Sequence, residues 1–313
     1  MQAVAVRAFG AVPELMELPK PVAGPGRILI RLAAAGVNPF DWKVADGVLQ
    51  GARPHTFPLI LGVDGAGSVE DCGPGVSRWK VGDRVYGQMI HDPVGEGTYA
   101  EYVSVPETAP LAEPPRTVGL LEAAAVPTAG LTALVLVDAL NPRPGQTVLI
   151  VGASGGVGSF AVQLAVARGA TVVATARPEA AARLRALGAH EVVEPAEVHS
   201  RVTESHPKGV DALVDVVDAG PAFERLTGLV HPDGWVLSTI GAASAEKVSA
   251  AGLHGGNLSV HPSSELQRRF TELIDEGAVT IPIESRIRLP AAPEAIAKSR
   301  AGKAQGKTVI DLA

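Results

Sequence analysis

The sequence predicts an α/β chain, in which a doubly wound parallel sheet follows a compact β-rich unit. Three observations predict it. Strand-like and helix-like stretches alternate between residues 119 and 256. A glycine cluster carries one β-branched strand straight into a helix. Residues 1–110 break into short apolar runs punctuated by turn chemistry. A length of 313 residues allows about two domains.

The elements follow in chain order. Gln2–Val6 alternates weakly, residues 27–33 read as a buried strand, and residues 59–70 mix apolar residues with glycine. The segments Gly24-Pro-Gly26, Gly73-Pro-Gly-Val76 and Lys80-Val-Gly-Asp83 supply the turns. Beyond Gly119 the candidate strands are Thr147–Val151, Thr171–Thr175, Glu191–Val193, 210–217 and 234–240. Helical patterns lie between them, notably at 157–168 and 179–187. A strand at 257–261, a helix at 264–276 and a strand at 308–312 close the chain and are expected to rejoin the first unit. The expected division is therefore 1–118, 119–256 and a return segment, 257–313.

Composition excludes several classes. A hydrophobic share of 46% against 19% charged residues is not that of a disordered chain. Aromatics reach only 4%, so Ala, Val, Leu and Ile must build the core. Lys and Arg number 27 against 33 Asp and Glu, a net charge of −6, and form no basic stripe, which argues against a nucleic-acid partner. The single cysteine, Cys72, can form no intrachain disulfide and cannot anchor a multi-cysteine metal site. The most apolar stretch, 119–140, contains Glu122, Pro127, Thr128 and Asp138, so it reads as buried helix rather than as a membrane span. The first ten residues show no signal-peptide pattern, and a soluble cytoplasmic protein is the expectation.

The strongest local signal runs from Gln146-Thr-Val-Leu-Ile-Val into Gly152-Ala-Ser154-Gly155-Gly156-Val157-Gly158. Glycine lets the chain turn sharply and lets a pyrophosphate approach the backbone, where free N–H groups and the helix dipole hold the anion. The strand before, the helix after and a second strand at the right distance make this a dinucleotide-binding turn. That second strand ends Ala174-Thr175-Ala-Arg177-Pro178, without the acid that usually grips a ribose 2′-OH. Arg177 in that place suits the 2′-phosphate of NADPH; the alternative is an ordinary solvated arginine.

Further motifs follow one another along the chain: Ala35-Gly-Val-Asn38-Pro39-Phe-Asp41-Trp-Lys43, Leu61-Gly-Val-Asp64-Gly-Ala-Gly67 and Val81-Gly-Asp83-Arg84-Val85. After them come Gly97-Thr-Tyr99-Ala-Glu101-Tyr102, Pro127-Thr128-Ala-Gly130-Leu-Thr132-Ala, the glycine turn and a terminal Gly306-Lys307. In this order they resemble the medium-chain dehydrogenase/reductase superfamily and, within it, the zinc-independent quinone oxidoreductase-like branch, over essentially the whole chain. The resemblance implies a GroES-like β-barrel domain and a Rossmann-type domain, with the cofactor in the cleft between them. Zinc-dependent relatives carry a catalytic Cys and a Gly-His-Glu where this chain has Asn38 and Gly62-Val63-Asp64, so no metal is expected.

Carried over residue by residue, the resemblance puts Asn38 beside the nicotinamide ribose, Asp41 close to the cleft and Thr128 near the nicotinamide. Gly152, Ser154, Gly155, Gly156 and Val157 would hold the pyrophosphate. Thr175 and Arg177 close the second strand on the cofactor side, and Asp218, Ile240 and Gly241 would line the cofactor edge. Simpler readings stand beside these: Asn38 and Asp41 as caps of the Pro39-Phe40 turn, Thr128 as a helix cap, Asp64 and Asp83 as structural turn residues. Tyr99 and Tyr102 read as strand packing, and His55, His91 and His261 as loop or surface residues.

The chain also departs from the family. The loop Asp46-Gly-Val-Leu-Gln50-Gly-Ala-Arg53-Pro-His55 lacks the tyrosine common near the substrate, and Ala180 stands where many NADPH users have Lys. The function this implies is NADPH-dependent, metal-independent hydride transfer to a quinone or an α,β-unsaturated carbonyl. Asn38 and Asp41 would orient the reactants rather than transfer protons. A reductase of carrier-bound enoyl groups and a low-turnover NADPH-binding sensor or scaffold are the alternatives. The 257–261 strand reads as a sheet edge, and together with the resemblance it implies a homodimer.

Overall fold

In the computed structural model, which describes residues 1–304 and 306–313, the chain divides into two units within a single helix. The first unit comprises Met1–Leu131, Pro262–Gly277 and Ile281–Ala313; the second comprises Thr132–His261 and Ala278–Thr280. The divisions expected at 118/119 and 256/257 thus lie within segments that stay whole. Residues 119–131 pack on the first unit because the carbonyl of Ala124 lies directly against Gly36.

The first unit is built from strands β1 (Gln2–Val6), β2 (Glu14–Glu17), β3 (Arg27–Val37), β4 (Leu59–Ile60), β5 (Asp64–Cys72), β6 (Arg84–Gln88), β7 (Tyr102–Pro106) and β8 (Leu111–Ala112). Helix α1 (Pro39–Ala45) leaves the end of β3, and α2 (Leu120–Ala123) precedes α3 (Pro127–Leu140), the helix in which the division falls. Strand β3 is long and apolar on its buried positions, and it is the spine: β5 and β7 flank it antiparallel. Its core is aliphatic, with Ile28, Ile30, Leu32, Val69, Val85 and Val103 in one cluster.

The second unit is a six-stranded parallel sheet of β9 (Thr147–Val151), β10 (Thr171–Thr175), β11 (Glu191–Val193), β12 (Val210–Asp215), β13 (Val230–Ser238) and β14 (His254–Asn257). Helices α4 (Gly156–Ala167), α5 (Pro178–Ala186), α6 (Val198–Ser205), α7 (Pro221–Thr227) and α8 (Ala245–Ala250) connect them. The strand order β11-β10-β9-β12-β13-β14 is that of a Rossmann-type sheet, which reverses direction between β9 and β12. The buried positions of the central strands, Leu149, Val173, Leu213 and Val236, form its core.

Helix α9 (Ser264–Asp275) then returns to the first unit. Strand β15 (Ile283–Arg288), helix α10 (Ala292–Arg300) and strand β16 (Lys307–Asp311) follow, and β16 pairs antiparallel with β3. The strand expected at 257–261 does not form. The last strand of the second sheet is His254–Asn257, in parallel register with Trp235–Ser238. Leu-Ser-Val-His alternates like a strand, whereas His-Gly-Gly-Asn carries no apolar residue at all. Backbone ladder bonds to β13, not side-chain burial, select the glycine segment.

Gly36 lies where β3, β5 and the entry to α3 converge. A Cβ there would stand 2.3 Å from the Ala124 carbonyl oxygen and 3.2 Å from Cβ of Asp64. Gly36→Ala should therefore lower unfolding stability by about 1–3 kcal/mol in a denaturant titration, the scale of overpacking against backbone that cannot rotate away. An unchanged midpoint would mean that this convergence is loose.

Candidate active site

In the second unit the glycine turn lies at the carboxyl end of β9. Gly152 has φ +82°, and a Cβ there would come within 2.3 Å of Val217 Cγ2; a Cβ on Gly158 would meet the Gly152 carbonyl oxygen at 2.3 Å. Gly155 is the residue before helix α4, so Gly156, Val157 and Gly158 form its first turn, whose N–H groups have no intrahelical acceptor. Ser154, Gly155, Gly156 and Val157 are half-buried, which leaves a shallow backbone cradle with the helix dipole behind it. Side chains larger than hydrogen at Gly152 and Gly158 would collide with Val217 and the Gly152 carbonyl, and the tight turn that glycine permits has the donor set a pyrophosphate needs.

The other expected residues of this unit surround the same strand ends. Thr175 is buried and its Oγ1 accepts the Gly152 N–H at 3.2 Å, so it holds the turn from the neighbouring strand. Arg177 is exposed and starts α5, whose first turn holds Glu179. Arg183, six positions on, donates to the Ser154 carbonyl at 3.2 Å; the sequence reading missed it because only the pitch of α5 brings it back to the turn. Asp218 is held by Asp215, whose Oδ1 accepts the N–H of both Val217 and Asp218 at 2.9 Å. Burial pushes the Asp215 carboxyl up to about 6, against the pull of those two bonds. Ile240 donates its N–H to Ser238 Oγ, and Gly241 turns at φ +83°.

In the first unit, Asn38, Asp41 and Thr128 meet in one polar cluster with Asp64, Tyr99, Gln88 and Lys307. Asn38 follows β3 and caps α1, and Asp41 in the first turn of α1 reaches back to accept its N–H at 2.7 Å. Asp41 also accepts from Tyr99 OH at 2.7 Å and from the Val63 N–H at 3.1 Å. Its side chain is enclosed and both oxygens are engaged. The expectation that Asp41 orients an acceptor is therefore corrected: it is the bracket of the turn, out of reach of a ligand. Tyr99, read as strand packing, lies outside a strand and supplies the main side-chain donor to that bracket.

Asp64 is the centre of the cluster. Its carboxylate accepts Asn38 Nδ2–H at 2.8 Å, Thr128 N–H at 3.0 and 3.1 Å, and Thr128 Oγ1–H at 2.6 Å. It thereby accepts an N–H of the first turn of α3 that has no acceptor within the helix, and places negative charge at that helix's positive end. Lys307 Nζ donates to Asn38 Oδ1 at 2.6 Å and to the Val37 carbonyl at 3.2 Å, and it stands 3.6 Å from Asp64. Burial lowers the Lys307 pKa, while Asp64 and Asp41 raise it. Gln88 Nε2 donates to Thr128 Oγ1 at 2.7 Å. Thr128 and Gln88 are the half-buried members, so the cluster opens on their side.

Gln88, Lys307 and the central role of Asp64 were not legible as site features. Lys307 was visible only as part of the terminal Gly-Lys motif, more than two hundred residues from its partners. His91, read as loop or surface, is mostly enclosed, with Nε2 3.0 Å from both Arg27 and the Ser104 carbonyl. Among the described residues no three of His, Cys, Asp and Glu are placed to share a metal ion. Among the described residues no helix is long and apolar enough to cross a membrane.

Comparison with known proteins places these features in a family. Residues 24–115 match the alcohol dehydrogenase GroES-like domain, and residues 156–278 match the zinc-binding dehydrogenase domain. The chain is 32% identical to the chloroplast envelope quinone oxidoreductase homolog of Arabidopsis thaliana, over 95% of this chain and 93% of that one. It is 30% identical to the mitochondrial NAD(P)H oxidoreductase of Bos taurus, over 92% and 82% of the two chains. Among solved structures, the quinone oxidoreductase from Coxiella burnetii superposes with a TM-score of 0.88 at 29% identity, over 99% of each chain. A mycobacterial protein complexed with NADPH superposes with a TM-score of 0.83 at 27% identity, again over 99% of each.

Burial pushes the Asp41 carboxyl up to about 7, even though Tyr99 and Asn38 donate to it. In the unfolded chain an aspartate titrates near about 3.9. The native state therefore holds this proton more tightly, so its stabilising contribution is complete below about pH 4 and is lost as pH rises through about 7. Asp41→Asn removes that titration. Melting temperatures between about pH 4 and 8 should show the parent losing stability relative to the variant as pH rises. A constant difference across that range would contradict the assignment.

Proposed function

This chain belongs to the medium-chain dehydrogenase/reductase superfamily, among its quinone oxidoreductases, and on that premise we propose that it is an NADPH-dependent, metal-independent reductase of quinones or α,β-unsaturated carbonyls. The observation that carries this reading is the glycine cradle followed by Arg177, with no acid at the end of β10. Gly152, Ser154, Gly155, Gly156 and Val157 would bind the pyrophosphate through backbone N–H groups. Arg177 would pair with the 2′-phosphate, Asp218, Ile240 and Gly241 would border the dinucleotide, and Asn38 and Thr128 would bind near the nicotinamide ribose.

The bound cofactor supplies the hydride. The protein's part is positioning and charge stabilisation, which in favourable cases lowers a barrier by roughly 7–11 kcal/mol. Asn38 keeps one Nδ2 hydrogen beyond its bond to Asp64, and a donor of that kind suits an acceptor that develops negative charge on oxygen. Asp41 acts only by fixing the turn that carries Asn38.

Metal independence rests on the donor set. Asn38 and Asp64 bond to each other, and the Lys307 ammonium already occupies the space beside both. A divalent cation would have to displace a resident charge of the same sign. Lys307 thus supports a reductase that works through its organic cofactor alone. We also propose a homodimer paired through the exposed edge of β14, and a cytoplasmic location, which suits a chain with one unpaired cysteine.

Titration should give tighter binding for NADPH than for NADH, and Arg177→Asp should weaken NADPH binding by about 1–3 kcal/mol, the scale of a charge-assisted bond. Equal affinities for the two nucleotides in the parent would remove Arg177 from this role. NADPH oxidation with a panel of quinones and enones should show turnover that survives prolonged chelation with an unchanged melting temperature. Stoichiometric zinc by elemental analysis, or turnover lost on chelation, would overturn the metal-free reading.

A further inference from the structure

The terminal Gly306-Lys307 motif has no part in the reading above beyond excluding a metal, yet it puts the one buried ammonium of the polar cluster beside Asn38. We propose that Lys307 is a positioning residue: it locks the side-chain amide of Asn38 in one orientation, so that a single Nδ2 hydrogen is presented to the acceptor or to the nicotinamide ribose. The inference rests on the proposed function and adds a residue to it.

The bonds open to the Asn38 amide decide its orientation. An asparagine amide can turn over by 180°, exchanging its acceptor for its donors at little steric cost. At Asn38 that exchange is blocked from both sides. Oδ1 faces the Lys307 ammonium at 2.6 Å, and Nδ2 faces the Asp64 carboxylate at 2.8 Å. Turning the amide would set a donor against a cation and an acceptor against an anion, in a region with almost no water. The ammonium is itself held by the Val37 carbonyl at 3.2 Å, in the strand that Asn38 follows. Strand β16 runs antiparallel to β3 with Thr308 opposite Val37, so the ladder itself fixes where Nζ can reach.

The amide is left with one hydrogen that has no bond among the described residues. The cation on Oδ1 polarises the amide and strengthens that hydrogen as a donor. Lys307 has a second effect, as counter-ion to Asp64, and the two can be separated. As counter-ion it stabilises the fold; as partner of Oδ1 it orients Asn38.

The test is a cycle of Lys307→Met, Asp64→Asn and the double variant. For each, unfolding stability is measured along with NADPH binding by fluorescence and turnover with 1,4-benzoquinone and cyclohex-2-enone. In the Asp64→Asn background the ammonium is a buried charge that has lost its carboxylate, so adding Lys307→Met should raise stability. The same step should still lower turnover by about tenfold or more, the scale of one lost hydrogen bond, because Oδ1 has lost its donor. Turnover that recovers along with stability would overturn the proposal and make Lys307 a counter-ion only. A parent protein that neither binds NADPH nor oxidises it with either acceptor would overturn the functional reading and this inference with it. Binding and turnover in the parent with a recovered double variant would overturn the inference alone.

Discussion

A carboxylate with no exposed surface stands where three separate pieces of the chain end. Asp64 begins β5, receives the amide of Asn38 from the end of β3, receives both the N–H and the hydroxyl of Thr128 from the start of α3, and faces Lys307 at the start of β16. Taking a carboxylate out of water costs several kcal/mol, and only a close counter-charge together with well-formed hydrogen bonds offsets it. Every donor around Asp64 is therefore constrained, and so is the element that carries it. Gly36 permits this convergence by leaving room for the Ala124 carbonyl. The half-buried members, Thr128 and Gln88, inherit their positions from it.

A second carboxylate nearby follows a different rule. Asp41 has no cation in hydrogen-bond contact; it has a phenol and two backbone N–H groups. Burial outweighs these donors and lifts its pKa to about 7. Asp64 differs in its partners, with the Lys307 ammonium beside it. One carboxylate brackets a turn and the other organises a site. They stand in the same cluster, and their partners rather than their burial tell them apart.

Sequence patterns resolved what depends on local chemistry. The glycine turn was legible because strand, glycines and helix are contiguous, and the β9–β13 strands were legible because their buried positions are aliphatic. Residues 254–257 were not, because a strand without apolar residues leaves no pattern and is selected by the ladder to β13. The polar cluster was half legible. Asn38, Asp41 and Thr128 could be named from motifs, but which of them faces a ligand depends on Tyr99, Asp64 and Lys307, whose relation to one another is set by strand register. Arg183 is a similar case, since its contact with Ser154 follows from the helical phase of α5.

The Asp64 carboxylate fixes the orientation of Asn38, Thr128 and Lys307 together. A crystal structure of the Asp64→Asn protein tests it most directly. An amide at position 64 brings a donor where only acceptors now serve, opposite Asn38 Nδ2 or opposite Thr128. The expected result is that Asn38 Nδ2 separates from position 64, that Lys307 Nζ shifts with the Asn38 amide while keeping its bond to Oδ1, and that the Thr128 hydroxyl changes partner. Superposition with Asn38, Thr128 and Lys307 unmoved and their bonds unchanged would contradict it.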